Sequence, residues 1–136
     1  DMQNIEGVVF EKIICNLYNQ IPGYTAEKTK DSYDNGVDVI AWAQQEGEEN
    51  LLIQCKQTAS DKNMGARGLE AVTSAVKLYE GLYPYKRFSG VVITNANDFT
   101  TPTKWRAKIS QVQLVAKKQL EILMQQYPLV KKIYYV

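Results

Sequence analysis

The chain has 136 residues, 45% of them hydrophobic and 23% charged, with a formal net charge of +1 and no histidine. It is long enough for one domain around one core and too short for two. The missing histidine excludes Ser-His-Asp and Cys-His catalysis and histidine-ligated zinc or iron, so chemistry must run on carboxylates, lysine, amides, hydroxyls or a hard metal held by oxygen.

Ile5 to Tyr18 places Val9, Ile13 and Leu17, with Phe10 and Ile14 beside them, at steps of three and four, which predicts a helix ending before the Pro22-Gly23 turn. Tyr24 to Thr29 reads as a strand, and Ser32 to Gly36 (SYDNG) as a turn into the next. Val37 to Ala43 and Leu51 to Gln57 read as a hairpin around the polar loop Gln44 to Asn50. A polar loop, Thr58 to Gly68, leads to a helix from about Leu69 to Tyr83, and Phe88 to Thr94 (FSGVVIT) reads as a strand covered on both faces. Helix Thr103 to Ser110, strand Val112 to Val115, helix Gln119 to Tyr127 and an extended Leu129 to Val136 complete the reading. Strands alternating with helices predict an α/β domain with a partly parallel, covered sheet.

No stretch reaches the roughly 18–20 apolar residues of a membrane span, and no leader pattern is visible, so we expect no membrane association. Cys15 and Cys55 form neither a CxxC nor a zinc spacing, and reduced, buried thiols fit a cytoplasmic protein. A helix this close to a first residue other than Met suggests a single domain, residues 1–136, excised from a longer protein.

The hairpin interrupts its own apolar pattern at Asp38, Gln54 and Lys56. Opposed residues of an antiparallel pair share a face, so a loop centred on Glu46 or on Gly47 sets Asp38 opposite Gln54 or Lys56 respectively. Gln54 and Lys56 share a face in either register, and the three polar side chains converge while Ile53 and Cys55 point into apolar packing. Polar residues two apart are also what an ordinary wet strand face shows. Here, however, Leu51-Leu52-Ile53 is a consecutive apolar run of the kind found in buried strands, where a lysine needs a partner. An acid, an amide oxygen and an ammonium on one patch suit metal-assisted phosphodiester hydrolysis: Asp38, Gln54 and the backbone carbonyl of Cys55 could hold Mg²⁺, while Lys56 orients water or offsets developing charge.

The successive motifs Gly7-x-x-Phe10-Glu11, Gly23-Tyr24 with Glu27 and Thr29, Ser32-x-Asp34-Asn35-Gly36-Val37-Asp38-Val39-Ile40-Ala41, Ile53-Gln54-Cys55-Lys56 and Val92-Ile93-Thr94-Asn95 resemble those of the Mrr-like restriction endonuclease catalytic domain, a branch of the PD-(D/E)xK nucleases. The resemblance spans roughly residues 7 to 100, in order and at plausible spacing. It implies a restriction endonuclease-like fold, a mixed central sheet with helices on both faces, and DNA cleavage dependent on Mg²⁺, with Mn²⁺ as a substitute. Carried over, Asp38 matches the metal-binding acid, Gln54 the second ligand position, Lys56 the catalytic lysine and Glu11 an acid near the site on the first helix. Lys117-Lys118 stands where a loop with Asp and Gly is usual, a departure at the C-terminal edge.

Lys62 and Arg67, before a helix, could meet DNA phosphate, and Asn95 is a third candidate contact. Partners expected are DNA, a further domain or subunit for target recognition or activation, and a homodimer or higher oligomer for cutting both strands. The function expected is a metal-dependent DNA endonuclease in restriction or anti-phage defence. Its rivals are an inactive nuclease-fold module that only docks DNA or protein, and a nuclease acting on RNA or branched DNA.

Overall fold

The computed structural model describes residues 7–29 and 36–130. In chain order these form α1 (Gly7–Gln20), β1 (Tyr24–Lys28), β2 (Val39–Ala43), β3 (Glu49–Lys56), α2 (Arg67–Leu82), β4 (Arg87–Thr94), α3 (Thr101–Ser110), β5 (Gln113–Val115) and α4 (Lys117–Gln126). The strands lie side by side as β1-β2-β3-β4-β5. A short turn joins β2 to β3 antiparallel, whereas α2 and α3 carry the chain back over the sheet so that β3, β4 and β5 run parallel. The sheet is therefore mixed, as expected.

Helices cover both faces. On one, Phe10, Ile14 and Leu17 of α1 and Leu120 of α4 pack on Val39, Ala41, Ile53, Val91 and Ile93. On the other, Leu69, Val72 and Ala75 of α2 and Ala107 of α3 pack on Ile40, Leu52, Phe88 and Val92. The strand period of two sends alternate residues to opposite cores, so an unbroken apolar run such as Val91-Val92-Ile93 feeds both. Each fully buried Leu, Ile, Val or Phe contributes roughly 1.5–3 kcal/mol relative to exposure, so a charge at Val92 would break the fold from its middle.

Several boundaries differ from the sequence reading for local reasons. The first helix runs on to Gln20, and its expected start at Ile5 lies outside the described residues. The third helix begins at Thr101 because Thr100 caps it, accepting from Thr103 N, with Pro102 in its first turn. β3 begins at Glu49, inside the expected loop, because parallel pairing with Arg87 continues there and Asn50 bridges both neighbours, accepting from Ala43 N at 2.8 Å and donating to Arg87 O at 3.0 Å. The turn Ser32 to Asn35 lies outside the described residues, as do positions 131–136 of the extended tail. Leu129 and Val130 form no strand. Instead the buried Asn16 of α1 donates to Val130 O at 3.0 Å and accepts from Val130 N at 3.2 Å, a side chain replacing the strand partner.

Candidate active site

The β2–β3 pairing sets Val39 opposite Ile53, which continues to Asp38 beside Gln54, the register of a turn centred on Glu46. The ladder nevertheless stops at Val39, two residues later than the sequence suggested. The backbone of Asp38 still ties both neighbours: its N–H donates to Ile53 O at 2.8 Å and its carbonyl accepts from Thr29 N at 3.0 Å. Its side chain then takes the place of the next rung, Oδ2 accepting from Cys55 N at 2.8 Å. The approach to Asp38 is made by Gly36, which has φ of +87° and where a Cβ would lie 2.8 Å from both the Cβ and the carbonyl oxygen of Ala71. Only glycine meets both demands.

Gln54 is 7% exposed and donates from Nε2 to the same Asp38 Oδ2 at 2.8 Å, with Cys55 O at 3.4 Å. Both partners are acceptors only, so the side of the amide that faces them is its NH₂. The expected ligand oxygen of Gln54 is thus turned away from Asp38. Lys56 is the last residue of β3, paired with Thr94, and its aliphatic stem lies against Gly68 of α2. Asp38, Gln54, the Cys55 carbonyl and Lys56 therefore gather where β2 begins and β3 ends.

Glu11 reaches this strand end from the other face of the sheet. It pairs with Lys28 at 3.4 Å, both side chains half-buried. Burial pushes the Cys55 thiol well above its ordinary value, and the charges of Asp38 and Glu11 push the same way. Cys55 therefore stays a thiol near neutrality and offers its backbone carbonyl, not a thiolate, to any ion. Among the described residues no three of His, Cys, Asp and Glu cluster as a metal site. The oxygens at this strand end are those of one acid, one amide and one backbone carbonyl.

The other sequence candidates separate. Lys62 and Arg67 are exposed on the loop after β3 and at the start of α2. That loop is fixed to the approach of α3 through Met64 N to Asp98 O and Thr100 N to Met64 O, each 2.9 Å. Asn95 does not fit the expected DNA contact: it is fully buried, accepting from Thr58 N and donating to Thr58 O, both at 2.8 Å. Glu27, on the edge strand β1, accepts from Trp42 Nε1 of β2 at 2.9 Å. Thr94 and Gly68, which touch Lys56, carried little signal in the sequence: Thr94 only its motif position, and Gly68 only its place at the end of a polar loop.

A mixed five-stranded sheet with helices on both faces, with an acid just before β2 and an amide and a lysine at the end of β3, has the restriction endonuclease-like fold. The family model described as restriction endonuclease (Mrr_cat) matches residues 2–124, and the chain belongs to that family. Among solved structures it is similar to the EndoMS–dsDNA2 complex, with a TM-score of 0.55 and 14% identity over 80% of this chain and 41% of that one. EndoMS in apo form gives a TM-score of 0.54 and 14% identity over 83% and 46% of the two chains. The chain thus spans less than half the length of these neighbours, which share its fold. Comparison with curated proteins gives no match.

Proposed function

We propose that this domain is a metal-dependent endonuclease that hydrolyses DNA phosphodiester bonds, with Mg²⁺ as its ion and Mn²⁺ as a substitute. The observation that supports this is the convergence of Asp38, Gln54, the Cys55 carbonyl and Lys56 at one end of the β2–β3 pair. The donors are hard oxygens, a set suited to Mg²⁺: the Asp38 carboxylate, the Cys55 carbonyl and, once the amide turns over, Gln54 Oε1. A bound ion would polarise the phosphoryl group and lower the pKa of its water. Because Gln54 is neutral, the site would hold a single ion with modest affinity, dependent on the substrate phosphate.

The chain's own part is orientation and charge. Asp38 is tied at its backbone to Thr29 and Ile53, and its carboxylate is held in turn by Cys55 N and Gln54 Nε2. Lys56 stands at the same strand end to orient the attacking water or offset charge on the transition state. Glu11, held by Lys28, adds a negative charge from the α1 side. Lys62 and Arg67 supply exposed cations for flanking phosphates. Cutting both strands needs two sites, so we expect a homodimer or higher oligomer, and target recognition or activation from a further domain or subunit. No helix among the described residues is long and apolar enough to cross a membrane. We place the protein in the cytoplasm, in restriction or anti-phage defence.

One observation favours a second reading, a nuclease fold that only docks DNA or protein: the Gln54 amide already satisfies Asp38. Plasmid nicking with Mg²⁺ or Mn²⁺ decides. Metal-dependent cutting that Asp38→Ala and Lys56→Ala both abolish, with the fold intact by circular dichroism, establishes the nuclease. DNA binding without cutting, at high protein concentration, establishes the docking module. Parallel assays on single strands, branched DNA and RNA fix the substrate.

A further inference from the structure

We infer that Gly68 and Thr94 are positioning residues for Lys56: one keeps clear the space its stem occupies and the other fixes the backbone from which it springs. The inference rests on the reading of Lys56 as the catalytic lysine.

Gly68 is the second residue of α2, buried, and not among the positive-φ glycines. Backbone freedom is therefore no reason for glycine here. Room is the reason. A Cβ at this position would stand 3.0 Å from Lys56 Cγ, 3.0 Å from Val92 Cγ1 and 3.4 Å from Lys56 Cε. The two neighbours are not equally able to yield. Val92 is fully buried in the core beneath α2, whereas Lys56 is partly buried at a strand end. Any added methyl would push the lysine, not the valine.

Thr94 acts at the root of the same side chain. The parallel ladder between β3 and β4 ends with the pair Lys56 and Thr94. There Thr94 Oγ1 donates to the Lys56 carbonyl at 2.6 Å and accepts from Ala96 N at 3.1 Å. Asn95 continues the pairing through its two bonds to Thr58. Thr94 and Asn95 are both wholly buried, so their polar groups serve the end of β3 and the chain that follows it, not solvent. Lys56 is thus held at its root and along its stem. Less rotamer freedom remains to be lost when its ammonium meets the scissile phosphate.

Two readouts test this in the full chain: steady-state cleavage, and the rate of reductive methylation at Lys56 measured by peptide mass spectrometry without DNA or metal. For Gly68→Ala, a purely structural glycine gives a melting temperature at or above wild type and unchanged activity. Positioning gives a kcat lower by on the order of tenfold or more, KM within about twofold, and an altered Lys56 methylation rate. Adding Val92→Ala, which opens space on the other side of the methyl, should recover kcat while lowering the melting temperature. Thr94→Val removes the hydroxyl at nearly constant shape and should lower kcat in the same way, with Thr94→Ser restoring it; this pair decides the matter if the Gly68 variant does not fold. Folded Gly68→Ala and Thr94→Val proteins with wild-type methylation rates at Lys56 would overturn the inference. If wild type and Lys56→Ala cut equally, the catalytic reading fails, and the methylation rates still decide whether Lys56 is positioned.

Discussion

Gln54 directs its amide nitrogen at Asp38: Nε2 lies 2.8 Å from Oδ2 and 3.4 Å from the Cys55 carbonyl. A donor thus bridges the two oxygens proposed to hold a cation. Replacing it by an acceptor has opposite consequences with and without metal. Gln54→Glu should destabilise the metal-free protein by about 1–3 kcal/mol, since it removes a buried hydrogen bond and sets two carboxylates against each other. It should also tighten Mg²⁺ binding, which relieves that repulsion. Urea unfolding with and without Mg²⁺, together with calorimetric titration, measures both; unchanged metal affinity would remove Gln54 from the ligand set.

Asp38 holds structure as well as charge. In Asp38→Ala the Cys55 N–H and the Gln54 amide lose their shared acceptor, so stability should fall by about 1–3 kcal/mol and metal-dependent cutting should vanish. Asp38→Asn keeps the shape and one acceptor, so it should unfold closer to wild type yet cut no better than the alanine variant. Comparing urea midpoints with nicking rates separates the two roles. An Asn variant that cuts at the wild-type rate would show that the carboxylate charge is not needed.

How much of this was legible beforehand depends on what each signal encodes. Both sheet cores could be read from periodicity, because alternation and apolar runs follow directly from burial on one face or two. The convergence of Asp38 and Gln54 followed from the hairpin register, since the turn is short enough to leave two choices. The direction of the Gln54 amide was not legible, because Gln offers a donor and an acceptor and only its neighbours choose. Nor was the burial of Asn95: after a strand, an asparagine reads as a loop residue, and its pairing with Thr58 joins positions 37 apart. Gly68 was hidden in an apparent polar loop because its reason is a lysine stem from another strand.

Asn16 offers a test of the fold away from the site. It is buried in α1 with both ends of its amide on the backbone of Val130. Asn16→Ala should cost about 1–3 kcal/mol by leaving Val130 N and O without that partner. Hydrogen exchange should show faster exchange at Val130 than in wild type, while the β3 amides change only with global stability. Equal protection of Val130 in both proteins would mean the tail is held by other contacts.

Alkaline pH tests the burial of Cys55. Its thiol is pushed up first by burial and then by the charges of Asp38 and Glu11; burial also pushes up Cys15, Tyr18 and Tyr24. For an acid whose folded pKa is raised, the unfolded chain ionises first, so stability is full below the unfolded value and falls as pH rises above it. With unfolded thiols near ~8.5, urea midpoints should be flat to about pH 8 and then decline, with the tyrosines adding to the loss above about pH 10. Cys55→Ala should start somewhat lower, through a small cavity, but decline less between pH 8 and 10. Native Cys55, half-buried, should also react with iodoacetamide at pH 7.5 more slowly than the unfolded chain does, because the thiolate is the nucleophile. Parallel midpoint curves for wild type and Cys55→Ala across that range, or ready alkylation of the native thiol, would place Cys55 in a wetter and less acidic setting. That would weaken the case that Asp38 and Glu11 flank the same strand end.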